Sequence, residues 1–531
     1  MRNKSSSWFL LAILLFVVLI TGYILAYQTE YANGWDGYYY LVQLQSYTNT
    51  GVMHSPEYSL VYLPLLAVYN ITGDYMVSSK IAAIFIKQMF VLSVFVLSLK
   101  LLGSLHPTKP DKCFFAALLT ATIASASPSL NYYFLQFPKN LMGFSFFFFF
   151  VDSLVTTRKT ISQRDKKAYI RIVISVILFL AAFFTHRFTA VLSLIFLALF
   201  ALSLLKRRIH LLLKSKILWL SVSALAVVLI FSNNIPLAVN IYDIERITSD
   251  LNPSPIFVPI AFTEAFGVSK LTTAWIIEIY LAAALPIIIF LSLFWRKKTG
   301  LIQANKSYYL IAIISLIGLF PFFEFSLTGL SYRLFFSTLL MLPILYLPYI
   351  WLFTEKISSS FSNSKISFKN SRSVILFFSI LTISFFTGRS YKPEVHDPPY
   401  EFYEEVSQNA MIALEDVDFD LIIAHRSLAE FITYTYQVDA LPWAPEERFE
   451  REKVWRITAG IIPAEFSYYL SPEISEEYFV RLKGDYGLIR EDYWEDFIEK
   501  TSNEPAMVEA INSWRNPMNL RPHFLAKNRE S

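Results

Sequence analysis

Ionisable side chains inside or beside long apolar segments are the residues of this chain with the clearest potential for chemistry. A charged group is costly in an apolar surrounding, so its presence there predicts a role in binding or proton transfer. Asp36 stands in the segment Trp35-Asp36-Gly37-Tyr38-Tyr39. A simpler interpretation is that Asp36 forms a turn with Gly34 and Gly37. Further candidates near the ends of the apolar segments are His54, Glu57, Lys80, Lys87, Lys139, His186, Arg187, Asp243, Glu245, Arg246, Asp250, Glu264, Glu278, Glu324 and Arg333.

Long apolar runs must position these residues. Of the 531 residues, 55% are apolar and 17% are charged, and the mean hydropathy is +0.44. A soluble domain averages roughly 25% charged residues, so the composition excludes a soluble globular enzyme. It also excludes a disordered chain, which needs low hydrophobicity to stay solvated. Cys113 is the single cysteine, which rules out a disulfide framework and a cysteine-based zinc or iron–sulfur site.

Eleven apolar segments are predicted to be transmembrane helices, because each approaches the roughly 20 residues needed to cross the hydrocarbon core. The first has Arg2 and Lys4 before it and no small-residue cleavage site after it, so we expect a retained anchor. The segments are Trp8–Ala26, Ser79–Leu102, Phe114–Ser127, Leu141–Thr156, Ile172–Thr185, Thr189–Leu205, Ile217–Ser232, Thr272–Trp295, Tyr308–Phe325, Tyr332–Phe353 and Val374–Gly388.

The charge distribution predicts how these segments are oriented. Up to Thr387 the chain has 31 Lys and Arg against 14 Asp and Glu, and from Gly388 it has 15 against 28. Basic clusters fill the short loops, as in Arg158–Arg171 and Lys206–Lys216, and such clusters mark the cytoplasmic side. Eleven spans with the N-terminus inside place every cluster in the cytoplasm. The loops 27–78 and 233–271 and the acidic tail then lie outside.

The fold class expected is therefore a polytopic α-helical membrane protein with a small extracytoplasmic α/β domain. The predicted boundary gives a transmembrane domain of residues 1–388 and a C-terminal domain of residues 389–531. In this tail, Ser427 is a candidate N-cap for a helix that reaches about Tyr436, because Glu430 follows three residues later. Strands are expected at Asp420–His425, Val454–Ile462 and Tyr478–Leu482, and a further helix at Glu491–Thr501.

The first outer loop resembles that of the GT-C glycosyltransferases, which use polyprenyl-phosphate-linked sugars. This superfamily includes protein mannosyltransferases, the oligosaccharyltransferase catalytic subunit and the lipid A aminoarabinose transferase. Its members place an acidic residue in an aromatic segment just after span one, and a His/Pro stretch and amphipathic helices lead into span two. Here Asp36 is followed by Gly51-Val52-Met53-His54-Ser55-Pro56, Leu63-Pro64-Leu65-Leu66 and Thr72-Gly73-Asp74. The resemblance extends from Trp8 to Arg333 and depends on motif order and topology together.

The resemblance implies transfer of a sugar from a polyprenyl-(pyro)phosphate donor to an extracytoplasmic protein, lipid or glycan by inverting displacement. Asp36 would then be the general base that takes the acceptor proton. The leaving phosphate needs fixed positive charge, for which Arg333, Lys139 and Arg187 are candidates. Their alternative role is to pair with Glu324 or with lipid headgroups. The expected substrate-binding residues are His54, Glu57, Glu324 and His186.

No cofactor is expected. The oligosaccharyltransferase members of the superfamily use Asp-x-Asp metal ligands, whereas the short loop expected at Ser127–Tyr133 has no carboxylate. The nearest substitute for such a motif is Asp243-Ile244-Glu245, which is not an Asp-x-Asp sequence. A divalent metal is therefore not supported, and a metal-independent enzyme is predicted. The chain has no Walker A or Gly-x-Gly-x-x-Gly motif, and orientation explains its basic loops. We therefore expect the donor, the acceptor and membrane lipid as partners, and no nucleic acid.

Two other functions stay open from the sequence. A lipid-linked glycan transporter or flippase should have inverted repeats and Gly/Pro-broken spans near the membrane midplane. The long one-sided outer loops and the tail favour an enzyme over this alternative. A surface-polysaccharide polymerase or ligase would differ from the first hypothesis in its acceptor and not in its architecture.

Overall fold

A computed structural model describes most of the apolar segments and much of the tail. It separates into two compact units, one of residues 1–30 and 56–395 and one of residues 31–55 and 396–531. The described residues are 4–54, 59–162, 168–205, 260, 263, 267, 270–292, 306–317, 330–360, 371–389, 391–392, 397–441, 451–459, 479–484, 486–494 and 499.

Helices make up the described part of the first unit. They are α1 (Lys4–Ala26), α3 (Tyr62–Thr72), α4 (Tyr75–Leu105), α5 (Pro110–Ala126), α6 (Pro128–Gln136), α7 (Pro138–Ser162), α8 (Ala168–Thr185), α9 (Arg187–Leu205), α10 (Thr273–Ser292), α11 (Lys306–Ile317), α12 (Leu330–Leu345), α13 (Leu347–Ser360) and α14 (Ser371–Arg389). Helix α2 (Gly37–Thr50) belongs to the second unit.

Five stretches among the described residues are long and apolar enough to cross a membrane, and a sixth is counted if α5 and α6 form one bent span. The five are Trp8–Ala26, Tyr75–Leu105, Pro138–Thr157, Thr273–Leu291 and Phe335–Lys356. This agrees with a helical membrane protein. Shorter apolar helices cover four further segments, and the predicted span Ile217–Ser232 lies outside the described residues. The count of eleven spans therefore stays a prediction.

The helix is interrupted between α5 and α6, and the axes of these two helices make an angle of 60°. Pro128 has no N–H to donate and is favoured at the first position of a helix. Ser127 caps α6, because its Oγ accepts a hydrogen bond of 3.1 Å from the amide of Leu130. The expectation of a short loop at Ser127–Tyr133 is wrong, since Pro128–Gln136 is a helix whose residues are all buried.

The second unit contains a mixed five-stranded sheet. Its strands are β1 (Leu421–Ile423), β2 (Ala440–Leu441), β3 (Val454–Ala459), β4 (Phe479–Arg481) and β5 (Tyr486–Arg490), in the order β2-β1-β3-β5-β4. Strand β1 runs parallel to β2 and β3, and β5 is antiparallel to β3 and β4. Leu421, Ile423 and Val454 are buried together at the centre of this sheet, with Leu441 packed against them.

The longer helices of this unit are α2 (Gly37–Thr50), α15 (Tyr400–Ala413) and α16 (Arg426–Tyr436), and a short 3-10 helix, Arg451–Lys453, precedes β3. Helix α16 begins earlier than predicted. Its N-cap is His425, which accepts a hydrogen bond from the amide of Leu428, so the expectation of a cap at Ser427 is wrong. Of the predicted helix Glu491–Thr501, the described residues 491–494 and 499 are helical, and the others lie outside the described residues.

The segment Tyr31–Ser55 belongs to this unit, although the sequence placed it in a loop of the transmembrane domain. The hydroxyl of Tyr400 donates a hydrogen bond of 2.7 Å to the carbonyl of Gly34. The ring of Tyr38 lies 4.8 Å from that of Tyr400 and 4.9 Å from that of Phe431, measured between centroids. Aromatic packing of this kind couples segments that are far apart in sequence.

Candidate functional site

Asp36 lies in a tight turn that its carboxylate does not help to build. The amide of Gly37 donates to the carbonyl of Gly34, where φ is +83°, a conformation that favours glycine. Gly37 is also required, because a Cβ there would lie 2.9 Å from the Cβ of Ala32. Asp36 makes no side-chain hydrogen bond to the first turn of α2. The backbone and the glycines therefore form the turn, and the carboxylate is left for another use.

The carboxylate of Asp36 faces the guanidinium of Arg426, at a distance of 3.7 Å from Oδ1 to a terminal nitrogen. Arg426 is held from two other sides. Its Nε donates a hydrogen bond of 2.7 Å to Glu430, and its guanidinium lies 4.7 Å from the centre of the Tyr39 ring. Asp36 keeps 28% of its side chain exposed, so it remains accessible.

Burial governs the titration of the groups beside this ion pair. Burial raises the pKa of Glu430 to about 7, an effect that Arg426 opposes and Asp36 strengthens. The pKa of Arg426 is raised by the carboxylates of Glu430 and Asp36, although burial acts in the opposite direction. Burial lowers the pKa of His425 to about 3. At neutral pH the cluster therefore holds a charged Arg426 guanidinium, a Glu430 carboxyl that is about half protonated, and a neutral His425 imidazole.

This arrangement gives Asp36 the properties that a general base needs. Among the described residues no group donates a hydrogen bond to its carboxylate, and the contact with Arg426 is longer than a direct hydrogen bond. An oriented, partly exposed carboxylate of this kind can take a proton from a hydroxyl group.

Lys139, His186 and Arg187 lie at the same end of helices α7, α8 and α9. Lys139 lies in the first turn of α7, and the other two residues form the junction of α8 and α9. These helices approach closely at Gly143, where a Cβ would lie 2.5 Å from Oγ1 of Thr189 and 3.2 Å from Cβ of His186. Lys139 precedes Gly143 by about one helical turn. The first unit thus holds two of the predicted phosphate-binding cations at the same end of its bundle.

The other predicted site residues are less completely described. His54 is exposed in the second unit. Arg333 lies in the first turn of α12, and its side chain is outside the part of the chain that the structure describes. Glu57, Glu324 and the segment Asp243-Ile244-Glu245 lie outside the described residues.

The structure connects two ionisable residues of the spans with α6. Nζ of Lys87 in α4 donates a hydrogen bond of 2.7 Å to Oδ1 of Asn131, and both residues are fully buried. Oε2 of Glu278 in α10 accepts hydrogen bonds from Ser127 and Ser129 at the start of α6. The sequence marked Lys87 and Glu278 as costly charges. It gave no indication of their partners, because these lie in the segment expected to be a loop.

Arg426 and Glu430 were also missed as site residues. Their spacing of four residues on a helix is a signal for an ion pair, but nothing local connects Arg426 with Asp36. Among the described residues there is no cluster of three or more His, Cys, Asp or Glu that could hold a metal ion.

The sequence matches no protein-family model, and no curated protein matches it.

Proposed function

We propose that the protein is an integral-membrane glycosyltransferase that takes a sugar from a polyprenyl-phosphate-linked donor. In this proposal the chain crosses the membrane eleven times, with its N-terminus in the cytoplasm and the sheet-containing unit outside. The observation that carries the proposal is the carboxylate of Asp36. It follows the first apolar helix, is not used by its own turn, and is oriented by Arg426.

Asp36 accepts the proton of an acceptor hydroxyl as the hydroxyl oxygen attacks the anomeric carbon of the donor. The bond between that carbon and the phosphate oxygen breaks, and its electron pair leaves with the phosphate. Attack opposite the leaving group inverts the anomeric configuration. Arg426 has a positioning role, because its fixed guanidinium orients the carboxylate without bonding to it directly.

The departing phosphate gains negative charge, which fixed cations stabilise. Lys139 and Arg187 are two such cations at one end of the helical bundle, and Arg333 is the third candidate. An arginine holds phosphate by two parallel hydrogen bonds, whereas lysine acts as a compact charge. His186, His54, Glu57 and Glu324 are proposed to contact the sugar or the acceptor.

Asp36→Asn tests the proposal, because it keeps the shape of the side chain and removes the base. Transfer from radiolabelled polyprenyl-phosphate sugars by membrane vesicles should fall by about 10²–10⁴-fold, the usual contribution of a general base. The matched control is Asp418→Asn, which changes an 82% exposed acid of the same unit and should leave transfer unchanged. Folded yield should be similar for both variants.

Wild-type transfer by the Asp36→Asn variant would refute the catalytic role. A purely structural role gives a different pattern. Asp36→Asn and Arg426→Met would then lower the folded yield by similar amounts, and the double variant would be no worse than either.

A lipid-linked glycan transporter is the second candidate function, and the break between α5 and α6 favours it. Transporters build substrate sites at discontinuous helices, and here Glu278 binds the start of α6. Proteoliposomes with a labelled lipid-linked sugar in one leaflet separate the two functions. A transporter moves the intact donor across the bilayer in the absence of any acceptor, and Asp36→Asn does not slow it.

A further inference from the structure

A cavity of about 260 Å³ lies beside the break between α5 and α6. Its wall comes from four helices, namely α5, α6, α10 and α14. Most of the lining is apolar and includes Ile123, Ile380 and Ile383, whereas Glu278 supplies a carboxylate and Ser384 a hydroxyl. Pockets for drug-sized ligands measure about 300–1,000 Å³, so this cavity has room for one small molecule or chemical group.

Among the described residues, only one oxygen of the Glu278 carboxylate has hydrogen-bond partners. Its Oε2 accepts hydrogen bonds from the hydroxyl of Ser127 at 3.1 Å, and from the amide and hydroxyl of Ser129 at 3.2 and 2.8 Å. No residue that the structure describes donates a hydrogen bond to Oε1. No described Lys, Arg or His forms an ion pair with Glu278, and Tyr346 is the titratable side chain that interacts with it electrostatically.

We propose that this cavity binds a small organic ammonium ion, with its positive charge against Oε1 of Glu278. A carboxylate enclosed in a helical bundle calls for a positive partner, and the described residues supply none. Because Ser127 and Ser129 already donate hydrogen bonds to Oε2, the ligand is expected to place its positive charge against Oε1.

The wall chemistry selects an organic cation over other ligands. Metal cations such as Ca²⁺ and Mg²⁺ need about six or more oxygen ligands, and the described lining offers one carboxylate and a few hydroxyls. An anion would meet the carboxylate unfavourably. An alkylated ammonium combines one charge for Glu278 with alkyl surface for the apolar wall.

This inference is independent of the proposed glycosyl transfer, because it depends on Glu278 and the break at α6 and not on Asp36. The probe is radiolabelled choline, and binding is measured by scintillation proximity on the full chain in a maltoside detergent. Choline should bind saturably at one site per chain. The neutral isostere 3,3-dimethylbutan-1-ol, which has the same shape and carbon in place of nitrogen, should not compete.

Glu278→Gln should weaken choline binding by at least about tenfold, which corresponds to the loss of one charge interaction. The amide oxygen of Gln can still accept from Ser127 and Ser129, so the helix break is retained. Asp152→Asn is the matched control, since it neutralises another carboxylate in a span, on α7, and should leave binding unchanged.

Four results would overturn the proposal. If the neutral alcohol displaces labelled choline as strongly as unlabelled choline does, the cavity recognises apolar shape and not positive charge. Competition by sodium chloride at the same concentration, with potassium gluconate inert, would indicate an inorganic cation site. Equal binding by Glu278→Gln and wild type, or no saturable binding to the wild type, would remove the site. If Glu278→Gln fails to fold, the two competition measurements on the wild type decide the question.

Discussion

His425→Asn should remove an acid-dependent loss of stability from α16. In the folded chain Nδ1 of His425 accepts the amide of Leu428 at 3.4 Å, and Nε2 is buried without a partner among the described residues. The ring also packs against Tyr403, with 4.9 Å between centroids. Protonation of Nδ1 converts the acceptor of the cap into a donor, and it adds positive charge at a helix N-terminus, where the macrodipole is already positive.

The magnitude follows from the two pKa values. Burial lowers the pKa of His425 to about 3, against about 6.5 for an unfolded histidine. The stabilisation from the neutral ring is therefore complete above about pH 6.5 and is lost as the pH falls toward 3. Between about pH 7.5 and pH 5 the loss is about 2 kcal/mol, or about 30-fold in the equilibrium for opening α16.

Glu430 acts in the opposite sense, because a carboxyl with a raised pKa stabilises the folded chain as it takes up a proton. The pH profile of the wild type alone is therefore a sum of opposing effects, and the comparison with His425→Asn isolates the histidine. Asparagine is among the best N-cap residues, so this variant keeps an acceptor for Leu428 and does not titrate.

Hydrogen exchange of the α16 amides in the detergent-solubilised full chain measures the effect. After correction for intrinsic exchange rates, the ratio of wild-type to His425→Asn protection should fall by about 30-fold between about pH 7.5 and pH 5. Exchange of α4 amides serves as the control and should give a ratio that does not change with pH. A constant ratio for α16 would show that His425 is not held neutral by the fold, and the assignment of its cap would fail with it.

Two substitutions test the packing of each unit. Gly143→Ala should lower the thermal unfolding midpoint in detergent, because its methyl group overlaps a threonine hydroxyl and overpacking costs about 1–3 kcal/mol. Gly103→Ala, whose methyl group meets nothing within 4 Å, should leave the midpoint unchanged or slightly raised, and equal loss in both would refute the close contact. Glu491→Gln breaks a buried pair with Arg456 and should lower the free energy of opening β3, measured by hydrogen exchange, by about 3–5 kcal/mol. Asp492→Asn removes a more exposed ion pair and should cost less than about 1 kcal/mol, so similar losses would contradict the burial.

The long helices were predictable from sequence because the bilayer leaves an apolar run of about 20 residues few alternatives to a helix. The second predicted span, Ser79–Leu102, lies within α4, Tyr75–Leu105. Breaks within apolar runs were harder to predict. The expected span Tyr332–Phe353 overlaps the stretch Phe335–Lys356, which is long and apolar enough to cross a membrane. Within it a turn at Tyr346 separates α12 from α13, and that turn was not predicted.

The strands were predictable in part. Strands β1, β3 and β4 lie within segments expected to be strands, whereas β2 and β5 were missed. The five residues of β5 include Gly487 and offer no clear alternation. β5 pairs with both β3 and β4. Its strand conformation is thus set by neighbours distant in sequence and not by its own propensity.

The candidate base could be found from its own segment, but its surroundings could not. Asp36 stands out through its position after an apolar helix and its glycine neighbours. Arg426 is a surface-type residue in an ordinary amphipathic helix, and only the packing of α2 on α16 brings it to Asp36. Local sequence therefore identifies a group that can do chemistry, and tertiary contacts decide which charge orients it.

Helix α6 shows how charged residues in neighbouring spans help to predict which segments lie in the interior of a membrane protein. A short polar segment such as Ser127–Gln136 resembles a loop as long as water is assumed to satisfy its backbone and side chains. Inside a helical bundle that assumption fails, because every polar group must find a protein partner. Lys87 and Glu278 then need partners as much as the segment does, and the structure pairs them with it. Unmatched charges in apolar spans are therefore evidence that a neighbouring polar segment is buried, and that α6 lies within the bundle.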